Sequence, residues 1–454
     1  MKVYARHGFG RHVVAIAAIL VSAMAVSDIH AQCGGGRSTR QSVGGVFIDA
    51  CGVLGSASTD ARDALRQERV KAMDGLRGDI NEPTELRKVS LRMLDEALAE
   101  QIATGKEIPT EMRFLAGLQN IRYVFVYPDQ QDIVIAGYGE GIKIDAVGNA
   151  VGSTSNQAVL LLDDLVVALR GARRAANGIT CSIDPTQEGL KRLREYVSHA
   201  SRPSDVTLPQ IESALGPQTI QLGGIAPSTH FARVLVAADY RMKQIGMGHE
   251  KSQVTGLSSY LTMVSASGNG MQSMTPRWWM VPEYKAVVRD ADGLAWGLEG
   301  STVKTMTEET LFAADGSKKQ AGKVSPAAQR WADQMTSKFS ELARKDSIFG
   351  QLRNCMDLAV VSTLLAKEGL MSKAGVALSA LMDPTQYPSA EYEVPKTVAT
   401  KASALQKGSS YVISASGGVE IRPDEYLQKP KQDPAIGSLR AKVTRGETNR
   451  WWWN

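Results

Sequence analysis

The sequence predicts an α+β fold, because stretches with helical spacing alternate with blocks of short antiparallel strands. Three observations carry this. The tetrapeptide Asp-Ala-x-Gly occurs at Asp49-Ala50-Cys51-Gly52, Asp145-Ala146-Val147-Gly148 and Asp290-Ala291-Asp292-Gly293, each time between short β-rich runs. The Asp side chain accepts from the backbone two residues on and Gly supplies a positive φ, so Gly52, Gly148 and Gly293 read as structural hairpin turns. Between these blocks apolar residues recur at three- and four-residue intervals, as in Phe231, Val234, Leu235, Ala238, Met242 and Ile245. A hydrophobic share of 43% is enough to build a core and excludes wholesale disorder.

The elements follow in order. Residues 1–31 read as a cleavable secretory signal: Lys2, Arg6 and Arg11, then an apolar run from Val13 to Val26, then a cut after Ala31. Gln32 stands where a lipidation motif needs a small residue, so Cys33 is expected free of lipid. A Gly-rich leader covers residues 32–45 and an N-terminal α+β region residues 46–153. That region starts with a hairpin, followed by helices at Thr59 to about Arg77 and about Glu85 to Thr104, a short one from Pro109, and a meander from Ile121 to Gly152. A central region, 154–382, reads as a buried strand at Val159 to Leu162 running into a helix capped by Asp163. Helices capped by Asp184 and Ser228 come next, then a second meander from Trp278 to Leu311 and a helical hairpin from Ser325 to Lys367. The helix after Asp184 is expected to bury Leu190, Leu193 and Val197. Residues 383–454 are rich in Pro, Ser and Lys, with one hairpin pairing Tyr411–Ser414 with Val419–Ile421, and end in Trp451-Trp452-Trp453. No run after the signal reaches the roughly eighteen apolar residues of a spanning helix. The Trp tail is expected to be covered, by the protein's own body, by a partner or by a membrane headgroup layer.

Lys+Arg number 52 against 47 Asp+Glu, and loss of the signal brings the two closer still. That balance argues against nucleic-acid binding. Four cysteines remain after processing; a Cys33–Cys51 disulfide would close a short loop, and Cys355 sits on an apolar helical face where a buried free thiol fits equally well.

Catalytic and cofactor signatures fail on geometry. No Gly-x-Ser-x-Gly elbow exists, and Ser301-Thr302-Val303-Lys304 lies on a strand, where an offset of three faces its two ends apart. His199, His230 and His249 lack metal-ligand spacing, so no metal is expected, and no cofactor either. Gly316 to Lys323 has the wrong spacing for a phosphate loop. Two polar clusters remain as candidate binding residues. One is Asp239, Tyr240, Arg241 and Lys243 with His230, where Asp239 and Lys243 at i,i+4 read as a solvated pair. The other is Arg277 with Trp278 and Trp279, of which alternate faces of a strand let only one tryptophan be core.

Several stretches resemble one family: Tyr123-Val124-Phe125-Val126-Tyr127-Pro128, Leu162-Asp163-Asp164-Leu165, Cys181-Ser182-Ile183-Asp184-Pro185-Thr186, Phe231-Ala232-Arg233-Val234-Leu235, Ala238-Asp239-Tyr240-Arg241-Met242-Lys243 and Arg277-Trp278-Trp279. This is a domain-of-unknown-function family (1598) of exported planctomycete proteins, and the likeness spans roughly Val46 to Leu365. The resemblance implies export and supplies no catalytic residue. The expected function is non-catalytic binding or scaffolding in the cell envelope, with an envelope protein or a glycan as partner. The alternative is a hydrolase or transferase using Asp, Tyr and Arg, which requires Asp239, Tyr240, Arg241, His230 and Arg277 to share one cleft.

Overall fold

The computed structural model describes residues 42–76, 78–199, 207–267, 276–312, 318–320, 325–404, 411–412, 415–443 and 450–454. Residues 1–31, expected to be a secretory signal, Cys33 and most of the expected leader lie outside the described residues, as does most of the Gly316 to Lys323 stretch.

Two mixed sheets carry the α+β architecture. The larger runs, in spatial order, through Val46–Ile48, Val53–Ser56, Thr397–Val398, Gln218–Gly223, Ile179–Asp184, Ser416–Ile421, Pro276–Glu283, Thr302–Phe312 and Lys318–Gln320. The smaller runs through Lys431–Gln432, Ala286–Arg289, Ala295–Glu299, Tyr123–Tyr127, Asp132–Gly139, Thr84–Ser90 and Trp452–Trp453. Both contain parallel pairs, Pro276–Glu283 with Ser416–Ile421 in the larger and Ala286–Arg289 with Lys431–Gln432 in the smaller, but antiparallel pairing dominates. The three Asp-Ala-x-Gly turns sit at hairpin tips with φ of +86°, +89° and +67° at Gly52, Gly148 and Gly293. In each, the Asp carboxylate accepts backbone N–H groups across the turn: Asp49 from Cys51 and Val53, Asp145 from Val147 and Asn149, Asp290 from Leu294 and Ala295.

The helix Ser347–Lys367 is the hub. It is buried nearly all round, from Ile348 and Phe349 through Cys355 and Met356 to Leu364, with Gln351, Asn354 and Asp357 among the buried polar positions. It packs on the helices Leu162–Ala175, Phe339–Lys345 and His230–Gly246. A single contiguous cluster of buried apolar side chains joins it to both sheets, Val89, Val124 and Ile135 from one and Ile183, Trp278 and Val419 from the other. Cys181 and Cys355 are buried free thiols, and Cys51 is disulfide-bonded.

Several local expectations are corrected. Residues from Thr84 to Ser90 are a strand, and the helix starts only at Leu91, where Ser90 Oγ accepts from the Met93 N–H. Leu86 and Val89 fit helical spacing, yet pairing with Asp132–Gly139 on one side and Trp452–Trp453 on the other wins, because tertiary context overrides weak local propensity. The expected hairpin from Tyr411 does not form. Tyr411–Val412 pairs with Ser403–Ala404, and Ser416–Ile421 is a central strand between Ile179–Asp184 and Pro276–Glu283. Gly417 and Gly418 permit this, since a Cβ on either would run into the carbonyls of Trp278 and Cys181. Val159 and Leu160 are buried without joining a sheet as a strand. Thr186 and Thr229, one or two residues past the expected Asp184 and Ser228, accept from Gly189 and Ala232 N–H groups at the starts of their helices. Val197 is 38% exposed where burial was expected, because the helix Gln187–His199 turns Leu190, Leu193 and Tyr196, and not Val197, onto Ile211 and Leu215. The Trp tail docks on the protein's own body: Ser90 N–H donates to the Trp451 carbonyl, and Trp452 is buried under the guanidinium groups of Arg87 and Arg450.

Candidate functional site

The helix Leu162–Ala175 opens with Asp163 and Asp164, and the helix His230–Gly246 opens with His230. Their first turns lie side by side, so that His230 Nδ1 stands 3.0 Å from both carboxylate oxygens of Asp164. A carboxylate only accepts, which places the shared proton on Nδ1. The Cys355 thiol also donates to Asp164, and burial first, then that carboxylate, pushes the thiol well above its ordinary pKa. The Cys355 thiol is therefore an inert prop, while His230 is held in one orientation with no partner for Nε2 among the described residues.

His230 lines a cavity of about 380 Å³. Its other walls come from several elements. Arg69 arrives from the helix Thr59–Lys71 and Arg113 from the short helix Thr110–Arg113. Asp163 comes from the helix Leu162–Ala175 and Gln351 from the hub helix Ser347–Lys367, and Tyr387 and Tyr392 come from the extended segment that follows Met382. Asn149, in the second Asp-Ala-x-Gly hairpin, donates to Ser347 Oγ, which donates to Asp145, so the turn is tied to the start of the hub helix.

The segment carrying the two tyrosines is strapped down over the cavity. Arg170 donates to the carbonyls of Leu381, Asp383 and Tyr387, and the Tyr392 N–H donates to the Ser228 carbonyl. Tyr387 Oη donates to Asp163 Oδ1 at 2.9 Å, and the Tyr392 ring meets His230 edge-on with centroids 5.7 Å apart. Burial raises the Asp163 carboxyl above its usual range, with the Tyr387 hydrogen bond opposing it. Burial also raises both tyrosines, Tyr392 to about 12, so both remain hydroxyl donors at neutral pH. Burial lowers Arg69, whose guanidinium donates to the Gly148 carbonyl. Gln351 Oε1 is buried with no hydrogen-bond partner among the described residues.

Of the residues singled out from sequence, only His230 lines this cavity. Asp239 and Lys243 form a buried ion pair at 2.9 Å in place of the expected solvated one; Lys243 Nζ also donates to the carbonyls of Ile183 and Gly417. Arg241 pairs with Asp346 and Glu250, and Tyr240 bonds to Ser56. Arg277 lies over the ring of Trp279, while Trp278 is core, packed between Tyr260 and Trp331. The set does not share a cleft. Sequence spacing gave no sign of Tyr387, Tyr392 or Gln351; the Asp163-Asp164 doublet at a helix start was visible but read as a cap.

A second cluster lies at a cleft of about 540 Å³ lined by Arg122, Lys285, Ser301 and Arg353. Ser301 and Tyr284 hydroxyls donate to Asp357 Oδ1, and burial raises Asp357 to about 6 against the pull of Arg353. Asp357 Oδ1 is satisfied by these two hydroxyls, whereas Asp357 Oδ2 and Arg353 Nε are buried with no hydrogen-bond partner among the described residues. Among the described residues no group of His, Cys, Asp and Glu is arranged to hold a metal ion, and no helix is long and apolar enough to cross a membrane.

Residues 181–260 match the model of a family described as "Protein of unknown function (DUF1598)". The matched stretch contains Cys181 to Thr186 and Phe231 to Lys243, and is narrower than the resemblance from Val46 to Leu365. No curated protein and no solved structure matches the chain.

Proposed function

We propose that the protein is a non-catalytic binding protein, exported to the cell envelope, that holds a small polar ligand in the cavity beside His230. The cavity wall itself carries this reading, because Arg69, Arg113, Asp163 and the Asp164-oriented His230 line one hollow with apolar side chains, as a few placed polar groups do in small-molecule sites. The volume is at the lower end of the roughly 300–1,000 Å³ usual for small-molecule sites, and charged groups converge on it from several elements. Thermal-shift screening of the mature chain against a library of small polar metabolites should yield compounds whose effect is lost in His230→Ala and Gln351→Ala variants that retain the parent's circular dichroism. Hits unaffected by both substitutions would remove this site from consideration. Export is tested separately: mass spectrometry of protein from the native host should find an N-terminus at Gln32 with Cys33 unlipidated, and an intact Met1 contradicts it.

A hydrolytic or transfer role is the second reading, favoured by one feature. Asp164 orients His230 with Nε2 free to take a proton, the arrangement a general base requires. Turnover of a bound compound that disappears in His230→Ala, with binding retained, decides for this role over simple binding.

A further inference from the structure

We infer that the cleft lined by Lys285, Ser301 and Arg353, beside the hub helix, binds a phosphate group, free or as a monoester. It shares no wall residue with the cavity beside His230 and stands apart from the binding reading above. A chain of contacts brings its walls together. The Lys285 N–H donates to the Glu299 carbonyl, and a Cβ on the neighbouring Gly300 would stand 3.0 Å from that of Lys285. Next to Gly300, Ser301 Oγ donates at 2.6 Å to Asp357 Oδ1 on the hub helix. Arg353 stands one helical turn before Asp357, on the same face. Its Nη2 donates to the carbonyl of Gln119, the residue before Asn120. Lys285, Ser301, Arg353 and Asn120 thus meet around one hollow of about 540 Å³.

The free polar groups of this wall are mainly donors. The Lys285 side chain is exposed, with no hydrogen bond or ion pair among the described residues. Asn120 Oδ1 accepts from the Tyr138 N–H, so its amide NH2 is left to donate. Arg353 is half-buried and forms no ion pair among the described residues; burial lowers its pKa, with Asp357 opposing from beyond ion-pair range. Its Nη2 serves Gln119 and Asn354, its Nε is buried, and Nη1 is left for a ligand. A desolvated cation without a counter-ion favours an anion beside it. Arg122 adds a charge at the rim, lying over the Tyr123 ring and 3.6 Å from Glu85. Glu299 is the one carboxylate in the wall among the described residues, and it is exposed. Three cations against one carboxylate favour a dianion over a monoanion. A phosphate offers three terminal oxygens to a guanidinium, an ammonium and an amide carried on separate elements, where a carboxylate offers two. A neutral sugar would leave the guanidinium uncompensated.

Isothermal titration of a chain beginning at Gln32 with inorganic phosphate and with glucose 6-phosphate, at constant ionic strength, tests this. Acetate and glucose are the controls. Phosphate or its ester should bind saturably and at least about tenfold more tightly than acetate, as an added charge-assisted bond implies. Tighter binding of the ester assigns the rest of the cleft to an organic group, and equal or weaker binding makes free phosphate the ligand. Arg353→Lys keeps the charge but loses the planar fork, and should weaken phosphate about tenfold. Lys285→Gln, at an exposed position that leaves folding alone, should weaken it about threefold, the scale of an exposed charge pair. Glu299→Gln should tighten it by a similar factor. The assignment is overturned if neither phosphate compound saturates, if acetate or glucose binds as well, or if the three variants leave binding unchanged. Loss of phosphate binding in His230→Ala would move the anion to the other cavity and overturn it too.

Discussion

The Asp239–Lys243 pair shows how far burial changes a familiar i,i+4 motif. On a helix surface such a pair contributes a few tenths of a kcal/mol. Here Asp239 is fully buried, and burial, only partly opposed by Lys243, raises its pKa from 3.8 to about 7. A raised carboxyl favours the protonated folded state. The stability it contributes is complete below the unfolded value near 4 and is lost as pH rises through about 7. Asp357, raised to about 6, acts in the same direction over a narrower window. Denaturant titrations from pH 4 to 7 should therefore show a fall in unfolding free energy that is visibly shallower in Asp239→Asn; an unchanged slope sinks the assignment. Truncating one partner is a different experiment. Asp239→Ala strands the Lys243 ammonium in the core and should cost about 3–5 kcal/mol, whereas Asp239→Leu with Lys243→Met should recover much of it. Neither change should alter ligand binding beside His230, because the pair faces Ile183 and Gly417 instead. Gly148 is a simpler case. Its φ of +89° and the Leu65 side chain 3.2 Å from where a Cβ would stand predict that Gly148→Val costs about 1–2 kcal/mol. A denaturant midpoint equal to the parent's contradicts that.

At the level of elements, local signals carried the fold well wherever an element's partners are its sequence neighbours. The hairpins at Asp49, Asp145 and Asp290 and the helices Pro326–Ser337 and Ser347–Lys367 announce themselves by turn chemistry and spacing. Elements with distant partners did not. Thr84–Ser90 is a strand because Trp452 and Trp453 pair with Val89 and Lys88 from the far end of the chain, and nothing near Val89 encodes that. The site was hidden for the same reason: His230 was visible as a histidine beginning a helix, but Asp164, Gln351, Tyr387 and Tyr392 reach it only through tertiary packing. The tail is thus an edge strand with a buried anchor. Trp452 is 2% exposed and stacked against Arg87, itself bonded to the carbonyls of Glu82 and Ala116. Trp452→Ala should cost about 3–5 kcal/mol, as large-to-small core changes do. Loss of the strand should also uncover the edge of Thr84–Ser90 and promote self-association, since unpaired edges recruit other strands. Light scattering and chemical denaturation of a chain ending at Arg450 check both effects; parent-like stability and monodispersity would return the tail to the periphery.

For the molecule as a whole, composition divides the chain at about residues 153 and 382, yet the strand order weaves across both positions. Segments after 382 supply Thr397–Val398 and Ser416–Ile421 to the larger sheet and Lys431–Gln432 and Trp452–Trp453 to the smaller. Ser416–Ile421 sits between strands from the central region, and Thr397–Val398 joins Val53–Ser56 to Gln218–Gly223. Without them the larger sheet separates into pieces whose backbone N–H and C=O groups have lost their partners. The apolar cluster around Ser347–Lys367 is likewise shared by both sheets, so neither can be exposed without uncovering the hub helix. Separate domains unfold as separate units because few contacts cross their boundary. Here the crossing contacts are the interior of a sheet, which predicts one cooperative unit from about residue 46 to the end. Calorimetry of a chain beginning at Gln32 should show a single transition whose calorimetric and van't Hoff enthalpies agree. A chain truncated after Met382 should fail to reach a native state, with collapsed near-ultraviolet dichroism and exposed apolar surface. The truncation also removes Tyr387 and Tyr392, so loss of binding alone would prove little; the informative readout is the fold. Two resolved transitions, or a truncated chain that melts cooperatively near the parent's temperature, would show that the C-terminal strands cover a core already complete without them.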